Sequence, residues 1–265
     1  MEINQFEQLV QWFGGCIQQF FSLAGDEFLN DNLHLKESHT HRVCGETRLL
    51  ADALKLNEND TRIAETIALL HDIGRFEQFK KYRTYKDTTS EDHAMMGLRI
   101  LRQERILDGL DERERRWIER AIEYHNKKSL PEGLDERTAM FSRIIRDADK
   151  VDVYYLSIEN FRRYYQNPCT FQLEIEFPNE PGCSPEILDA LEQGRLVGYE
   201  ALRTMNDVIL LQLGWVYDIY FDAALQRIVE QRYLEQLISW LPGTDEVRRA
   251  TNAVMRYVQK RLKKI

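Results

Sequence analysis

Apolar residues recur at helical spacing almost from the start of the chain. Phe6, Leu9, Val10, Phe13, Ile17, Phe20 and Phe21 form one stripe and predict an amphipathic helix over Asn4–Phe21. Gly14 and Gly15 weaken its middle by about 1 kcal/mol each. Residues 26–36 read as a loop or short helix. A second helix is predicted over about 37–56, with Val43, Thr47, Leu50, Ala51 and Leu54 on its apolar face. His39 falls on that face, one turn before Val43. The polar run Asn57-Glu58-Asn59-Asp60 ends it and offers Asp60 as the next N-cap. A third helix carries Ile63, Ala64, Ile67, Leu70 and His71 along one side. Gly74 is predicted as its C′ stop. His71 and Asp72 then lie in the last turn, where the negative end of the helix dipole favours a cation.

Phe76–Thr89 is basic, aromatic and irregular. Ser90 is the expected cap of a helix holding His93, Gly97, Ile100 and Leu101. Asp111 starts another, with Trp117, Ile118, Ala121, Ile122, Tyr124 and His125. Asp135 caps a long helix running through Ile144, Ile145, Ala148, Asp149 and Val153 towards Tyr165. Asn167-Pro168 breaks it. Residues 169–177 alternate apolar and polar, the strand signal of the chain. Helical patterning returns over roughly 185–193, 195–213, 215–240 and 245–263. The expected fold is therefore all-α: a single helical domain over 1–265, with a core about 25–165, a C-terminal helical extension about 184–265, and one short strand or hairpin near 169–177.

Composition narrows the function classes. The chain has 265 residues, 43% hydrophobic and 30% charged, as in an ordinary globular protein. A net charge of −8 argues against nucleic acid or an anionic membrane as partner. An anionic substrate is still compatible with local cations or metals. Cys16, Cys44, Cys169 and Cys183 are far apart and read as reduced thiols. The N-terminal residues lack the basic start of a signal peptide. The apolar stretch Leu9–Leu23 is too short and too polar to span a membrane. A cytoplasmic location is expected.

The chemistry lies in the histidines. Of six, His39, His71, His93 and His125 fall on helix faces that also carry apolar residues. His71 has Asp72 beside it, and an acidic cluster, Asp147, Asp149 and Asp152, interrupts a later apolar helix. Imidazole and carboxylate donors suit Fe, Mn, Ni, Co or Zn. A carboxylate can bridge two such ions about 3.5–4 Å apart. Helical bundles commonly build such centres from facing helices.

His39-Thr40-His41-Arg42-Val43, Ala68-Leu69-Leu70-His71-Asp72-Ile73-Gly74 and Ala148-Asp149-Lys150-Val151 resemble, in order, the motifs of the HD-domain superfamily of metal-dependent phosphohydrolases. The resemblance spans roughly residues 35–155 and implies an HD-type helical bundle. It selects His39 over His41 and Asp149 over Asp147. It implies metal ligation by His39, His71, Asp72, His93, His125 and Asp149, with Asp72 bridging. His93 and His125 occur where binuclear members place histidines.

The implied cofactor is a divalent transition metal, one or two ions of Fe, Mn, Ni, Co or Zn, with Mg also admitted. The implied activity is hydrolysis of a small phosphoester, such as a nucleotide, by attack of a metal-activated hydroxide. Asp72, Arg75 and Lys150 are the expected catalytic residues, and Arg75, Lys81 and Arg83 the expected substrate cations. The expected partner is a small phosphorylated substrate; the C-terminal aromatic cluster of Trp215, Tyr217, Tyr220 and Phe221 reads first as core packing, with the far wall of the substrate pocket or a homodimer contact as the alternatives. Two other readings share the ligand set: a di-iron oxygenase of the same superfamily, and a non-enzymatic, metal-stabilised binding or signalling module.

Overall fold

The structure is a computed structural model and describes residues 1–22, 24–166 and 177–263. It is helical throughout, and no strand occurs among the described residues. The strand expected over 169–177 lies outside them, Phe177 excepted. Among the described residues, no helix is long and apolar enough to cross a membrane. Where the sequence suggests one continuous domain, the chain divides into two compact units, Met1–Asp149 and Lys150–Ile265.

In the first unit, α1 (Ile3–Gln18) packs on α3 (Glu58–Leu70), and α2 (Glu27–Ala53) lies between α3 and α4 (Ile73–Tyr82). Beyond them are α5 (His93–Gln103), α6 (Glu112–Tyr124) and α7 (Glu136–Gln166), whose first half belongs to this unit. The pairs α2–α3, α3–α6, α6–α5, α5–α4 and α4–α2 all pack, so five helices close a ring. Inside it sit Leu33, Leu50, Ile63, Ile67, Leu70, Ile73, Phe76 and Met96, all fully buried. Burial of this kind contributes roughly 1.5–3 kcal/mol per large side chain.

Local chemistry sets the helix starts. Asp26 accepts from Leu29 N at 3.0 Å, so α2 begins ten residues earlier than its apolar stripe suggests. Asn57, not Asp60, caps α3. Asp60 is instead buried against Arg137. Asp92 rather than Ser90 caps α5, through Ala94 N and Met95 N. Asp111 and Asp135 cap α6 and α7 as expected.

The expected glycine stop after α3 is the main local correction. The helix ends at Leu70, and His71 is its C-cap. Asp72 begins α4, with φ −106° and ψ 14°, and Gly74 lies inside that helix. Gly74 is there for close approach. A Cβ on it would stand 2.1 Å from His93 O and 2.6 Å from Gly97 N. Gly97 faces it, and a Cβ there would meet Ile73 Cγ2 at 3.1 Å. The two glycines let α4 and α5 touch backbone to backbone.

In the second unit, α8 (Pro185–Glu192) and α12 (Asp245–Leu262) pack against each other and against α9 (Met205–Gly214). Every residue of α9 is buried. Two shorter helices, α10 (Asp222–Glu230) and α11 (Tyr233–Ser239), complete it. The run predicted as one helix over 195–213 and the one over 215–240 are each broken by 3-10 turns or caps. Asp207 explains the first break: its carboxylate accepts from Ser184 N and Oγ, Arg203 N and Thr204 N, tying the loop down. The aromatic cluster turns inward. Trp215 meets Tyr154 edge-on at 5.7 Å and Tyr217 meets Tyr257 at 4.8 Å.

Gly74→Ala is expected to destabilise the protein by about 2 kcal/mol or more, because the new methyl meets backbone. Gly45→Ala, in α2 with nothing within 4 Å of its Cβ, should stabilise by about 0.5–1 kcal/mol. Denaturant unfolding of both variants measures this. Equal stability of Gly74→Ala and the parent would remove the close-approach account.

Candidate metal centre

Four helix ends and two helix faces converge at one end of the ring. His39 comes from the buried face of α2, three residues after Lys36 and four before Val43. His71 is the C-cap of α3 and His125 the C-cap of α6. His93 opens α5, and Asp149 lies on α7. All four imidazoles are at least nine-tenths buried, and so is Asp72. Asp149 keeps a quarter of its side chain exposed.

Asp72 is the point of convergence. Its Oδ2 lies 3.5 Å from His39 Nε2 and 3.7 Å from His71 Nε2. Its Oδ1 lies 3.3 Å from His93 Nε2 and 3.7 Å from His125 Nε2. The carboxylate therefore divides the imidazoles into two pairs, one per oxygen. His39 Nε2 also stands 3.2 Å from Asp149 Oδ1, so Asp149 joins the first pair. The donor atoms of His39, His71 and Asp72, and again of Asp72, His93 and His125, lie within 4.8 Å of one another.

The helix ends fix which nitrogen faces inward. An α-helix leaves its last carbonyls without partners. His71 Nδ1–H donates to Ala68 O and His125 Nδ1–H to Ile122 O, both at 2.7 Å. His93 Nδ1–H donates to the Asp87 carboxylate at 2.7 Å. With Nδ1 protonated, each Nε2 presents a bare lone pair to the centre, the tautomer a metal ligand needs. Arg146 holds the end of α6 in turn. Its guanidinium bonds the carbonyls of Tyr124 and His125 at 3.3 Å, and that of Lys127.

These donor atoms could hold a cation, and one would complete the arrangement. His71 Nε2 is buried and has no hydrogen-bond partner among the described residues, a state that costs about 1–3 kcal/mol. His93 Nε2 and His125 Nε2 face each other at 2.9 Å, lone pair to lone pair. Protonation does not relieve this easily. Burial pushes His93 down to about 4 despite its bond to Asp87, and His71 down to about 4 despite the nearby carboxylates. Burial also acts to raise the Asp72 pKa, but Lys36, His71, the His125 contact and Arg75 outweigh it. The carboxyl stays well below the usual carboxylate range. Asp149 is likewise held low by its bond to His39 against the pull of burial. Neutral imidazoles around ionised carboxylates are a donor set for divalent transition metals.

The remaining residues named from sequence separate into two groups. Arg75 reaches the centre, with Nε 3.5 Å from Asp72 Oδ1, and its Nη1 is fixed by Gln78, Asp87 and Tyr85 O. Lys81 and Arg83 form ion pairs elsewhere, with Glu91 at 2.8 Å and Asp26 at 2.7 Å. Lys150 bonds Asp218 through both its carbonyl, at 3.1 Å, and its carboxylate, at 2.5 Å. His41 is exposed, at the edge of Phe13, as its two-residue offset from His39 requires.

Three contributors carry little sequence signal. Asp87 orients His93 from a 3-10 turn whose position nothing in the pattern gives. Arg146 looks like one more charge in an acidic run. Lys36 lies 3.1 Å from Asp72 Oδ2. It could have been found, since it shares the α2 face of Leu33, His39 and Val43, where a solvated lysine does not belong.

Residues 37–154 match the family model for the HD domain, a superfamily of the metal-dependent hydrolase type. No curated protein and no solved structure matches the chain.

Metal-replete protein should bind two divalent ions per chain by elemental analysis. His93→Ala and His125→Ala should each retain about one, and Asp72→Asn close to none. Two ions retained by Asp72→Asn would remove the bridging role. Acidity offers a second check on metal-free protein. The unfolded chain takes up protons on histidine below about 6.5, whereas folded His71 and His93 do so only near 4. The unfolded state binds more protons between these values, so stability falls as pH drops through the window. Melting temperature should therefore decline from about pH 6.5 towards 4 and stay nearly flat from 7 to 8. A rise on acidification would contradict the buried neutral imidazoles.

Proposed function

We propose that this chain, whose residues 37–154 belong to the HD-domain family, is a metal-dependent phosphohydrolase acting on a small phosphoester. The observation that carries the reading is the Asp72 carboxylate, each oxygen of which faces two imidazole Nε2 atoms beside a cationic side chain. Divalent ions held by His39, His71, Asp72, His93, His125 and Asp149 would supply Lewis acidity at a phosphate oxygen and a water nucleophile of lowered pKa.

The protein's own groups account for the rest. The backbone carbonyls at Ala68 and Ile122 and the Asp87 carboxylate keep three imidazoles in one tautomer, so the ligands need no reorganisation on loading. Arg75 is anchored through Nη1, which leaves its Nε edge directed at the centre. A planar guanidinium edge suits two oxygens of one phosphate. Cations at the centre favour an anionic substrate, which supports hydrolysis of a phosphoester over oxygenation of a neutral one.

Manganese- or nickel-loaded protein should hydrolyse p-nitrophenyl phosphate or a nucleoside monophosphate under anaerobic conditions. Asp72→Asn should lower kcat by about 10³-fold or more, in keeping with the loss of a metal-based nucleophile. Turnover that requires oxygen and consumes it would replace this reading with the di-iron oxygenase. No turnover of any phosphoester, with both ions bound, would favour a non-catalytic module.

A further inference from the structure

Two cations flank Asp72, one on each oxygen. Lys36 Nζ donates to Oδ2 at 3.1 Å, and Arg75 Nε lies 3.5 Å from Oδ1. Both stand over the same aromatic ring. Lys36 Nζ is 5.1 Å from the Tyr85 ring centroid and Arg75 Cζ is 5.8 Å from it. Tyr85 is nine-tenths buried, and its hydroxyl donates to Asn32 O at 2.8 Å, one turn before Lys36 on α2. The lysine, the phenol and the arginine thus form one wall of the centre, built from α2, α4 and the turn after it.

Lys36 differs from the other cations named so far. Its side chain is 14% exposed, much as those of Arg75 and Lys150 are, but its contacts among the described residues are Asp72 and the Tyr85 face. An ammonium has three donors, so two of them are left without an acceptor among the described residues. Arg75 has the matching feature: Nε is buried with no hydrogen-bond partner, while Nη1 is anchored. Lys81, Arg83 and Lys150 lack such free donors aimed at Asp72, being paired with Glu91, Asp26 and Asp218.

Charge gives the ligand class. Asp72, Asp87 and Asp149 set three negative charges against the two of Lys36 and Arg75, a net of minus one. Two divalent ions raise that to plus three. Held by Asp72, they would also compete with Lys36 for its charge, which would free the ammonium. A centre that is positive, with an ammonium and a guanidinium edge on one wall, suits a phosphate that carries two negative charges. A phosphodiester brings one.

We propose that Lys36, with Arg75 over the Tyr85 ring, forms the seat for a terminal phosphate dianion, and that the preferred substrates are phosphomonoesters. This rests on the phosphohydrolase reading for its substrate class, although anion binding by Lys36 stands apart from turnover. Lys36 touches the phosphate and is in that sense a catalytic residue. Lys81 and Arg83 have no part in the seat.

The test uses metal-loaded full-length protein, with inorganic phosphate as probe in calorimetry. Lys36→Met should keep both ions by elemental analysis and bind phosphate about tenfold more weakly or worse, the loss of one charged hydrogen bond. Lys36→Arg should recover most of the affinity. In turnover, Lys36→Met should raise KM for p-nitrophenyl phosphate and leave KM for bis(p-nitrophenyl) phosphate much less affected. Unchanged phosphate affinity in Lys36→Met would overturn the proposal. So would loss of metal from that variant, which would make Lys36 a support for the ligand carboxylate. Should the parent cleave no phosphoester while phosphate binding still depends on Lys36, the hydrolase reading fails and the anion seat remains. Should the parent hydrolyse phosphomonoesters with the same KM as Lys36→Met, the seat fails and the hydrolase reading remains.

Discussion

A single ionised carboxylate buried among four imidazoles organises this structure. Asp72 is 3% exposed, and a charge so placed costs several kcal/mol unless it is paired and hydrogen-bonded. An aspartate at the first position of a helix ordinarily gives its side chain to the amides of the first turn. Asp72 makes no such bond. Its carboxylate points to the other side, where Lys36 and Arg75 compensate it and His39, His71, His93 and His125 surround it. The positive end of α4 helps to keep it ionised.

Much of the surrounding fold serves to bring these groups within reach of Asp72. The direct junction of α3 and α4 at His71-Asp72 turns the chain so that both side chains enter the centre. Gly74 and Gly97 let α5 approach α4 closely enough for His93 to meet Oδ1. The C-cap position gives His71 and His125 an unpaired carbonyl three residues back, which settles their tautomers. Arg146 in turn holds the carbonyls that follow His125. Each of these devices is ordinary by itself. Together they set lone pairs facing one another at 2.9 Å and leave one imidazole nitrogen without a partner. Cations held by these donors would relieve that repulsion.

The cationic wall shows the same economy. Lys36 belongs to α2 and Arg75 to α4, yet both rest on Tyr85, which is tied back to α2 through Asn32. Lys81 and Arg83, which follow Arg75 in sequence, pair instead with Glu91 and Asp26. Proximity in the chain is thus a poor guide to which cation serves the centre. Helix register is a better one, since Lys36 and His39 are three residues apart on one face.

Helical periodicity, caps and the order of the histidines are local properties, and the amino-acid sequence carries them by itself. From them came the all-α fold, most helices of the first unit, the N-caps at Asp111 and Asp135, and the candidate histidines, while the choice of His39 over His41 and of Asp149 over Asp147 came from the family resemblance. Boundaries were legible only where one cap competed for the chain. Asn57 against Asp60 and Asp92 against Ser90 were decided by which side chain could turn back to the amides once its neighbours were packed. What tertiary structure alone decided is the pairing. Which oxygen of Asp72 each imidazole faces, why Gly74 is a glycine, and which lysine reaches the carboxylate all depend on distances between helices far apart in sequence. No periodicity encodes those distances, because they follow from how close two backbones can come and what lies between them.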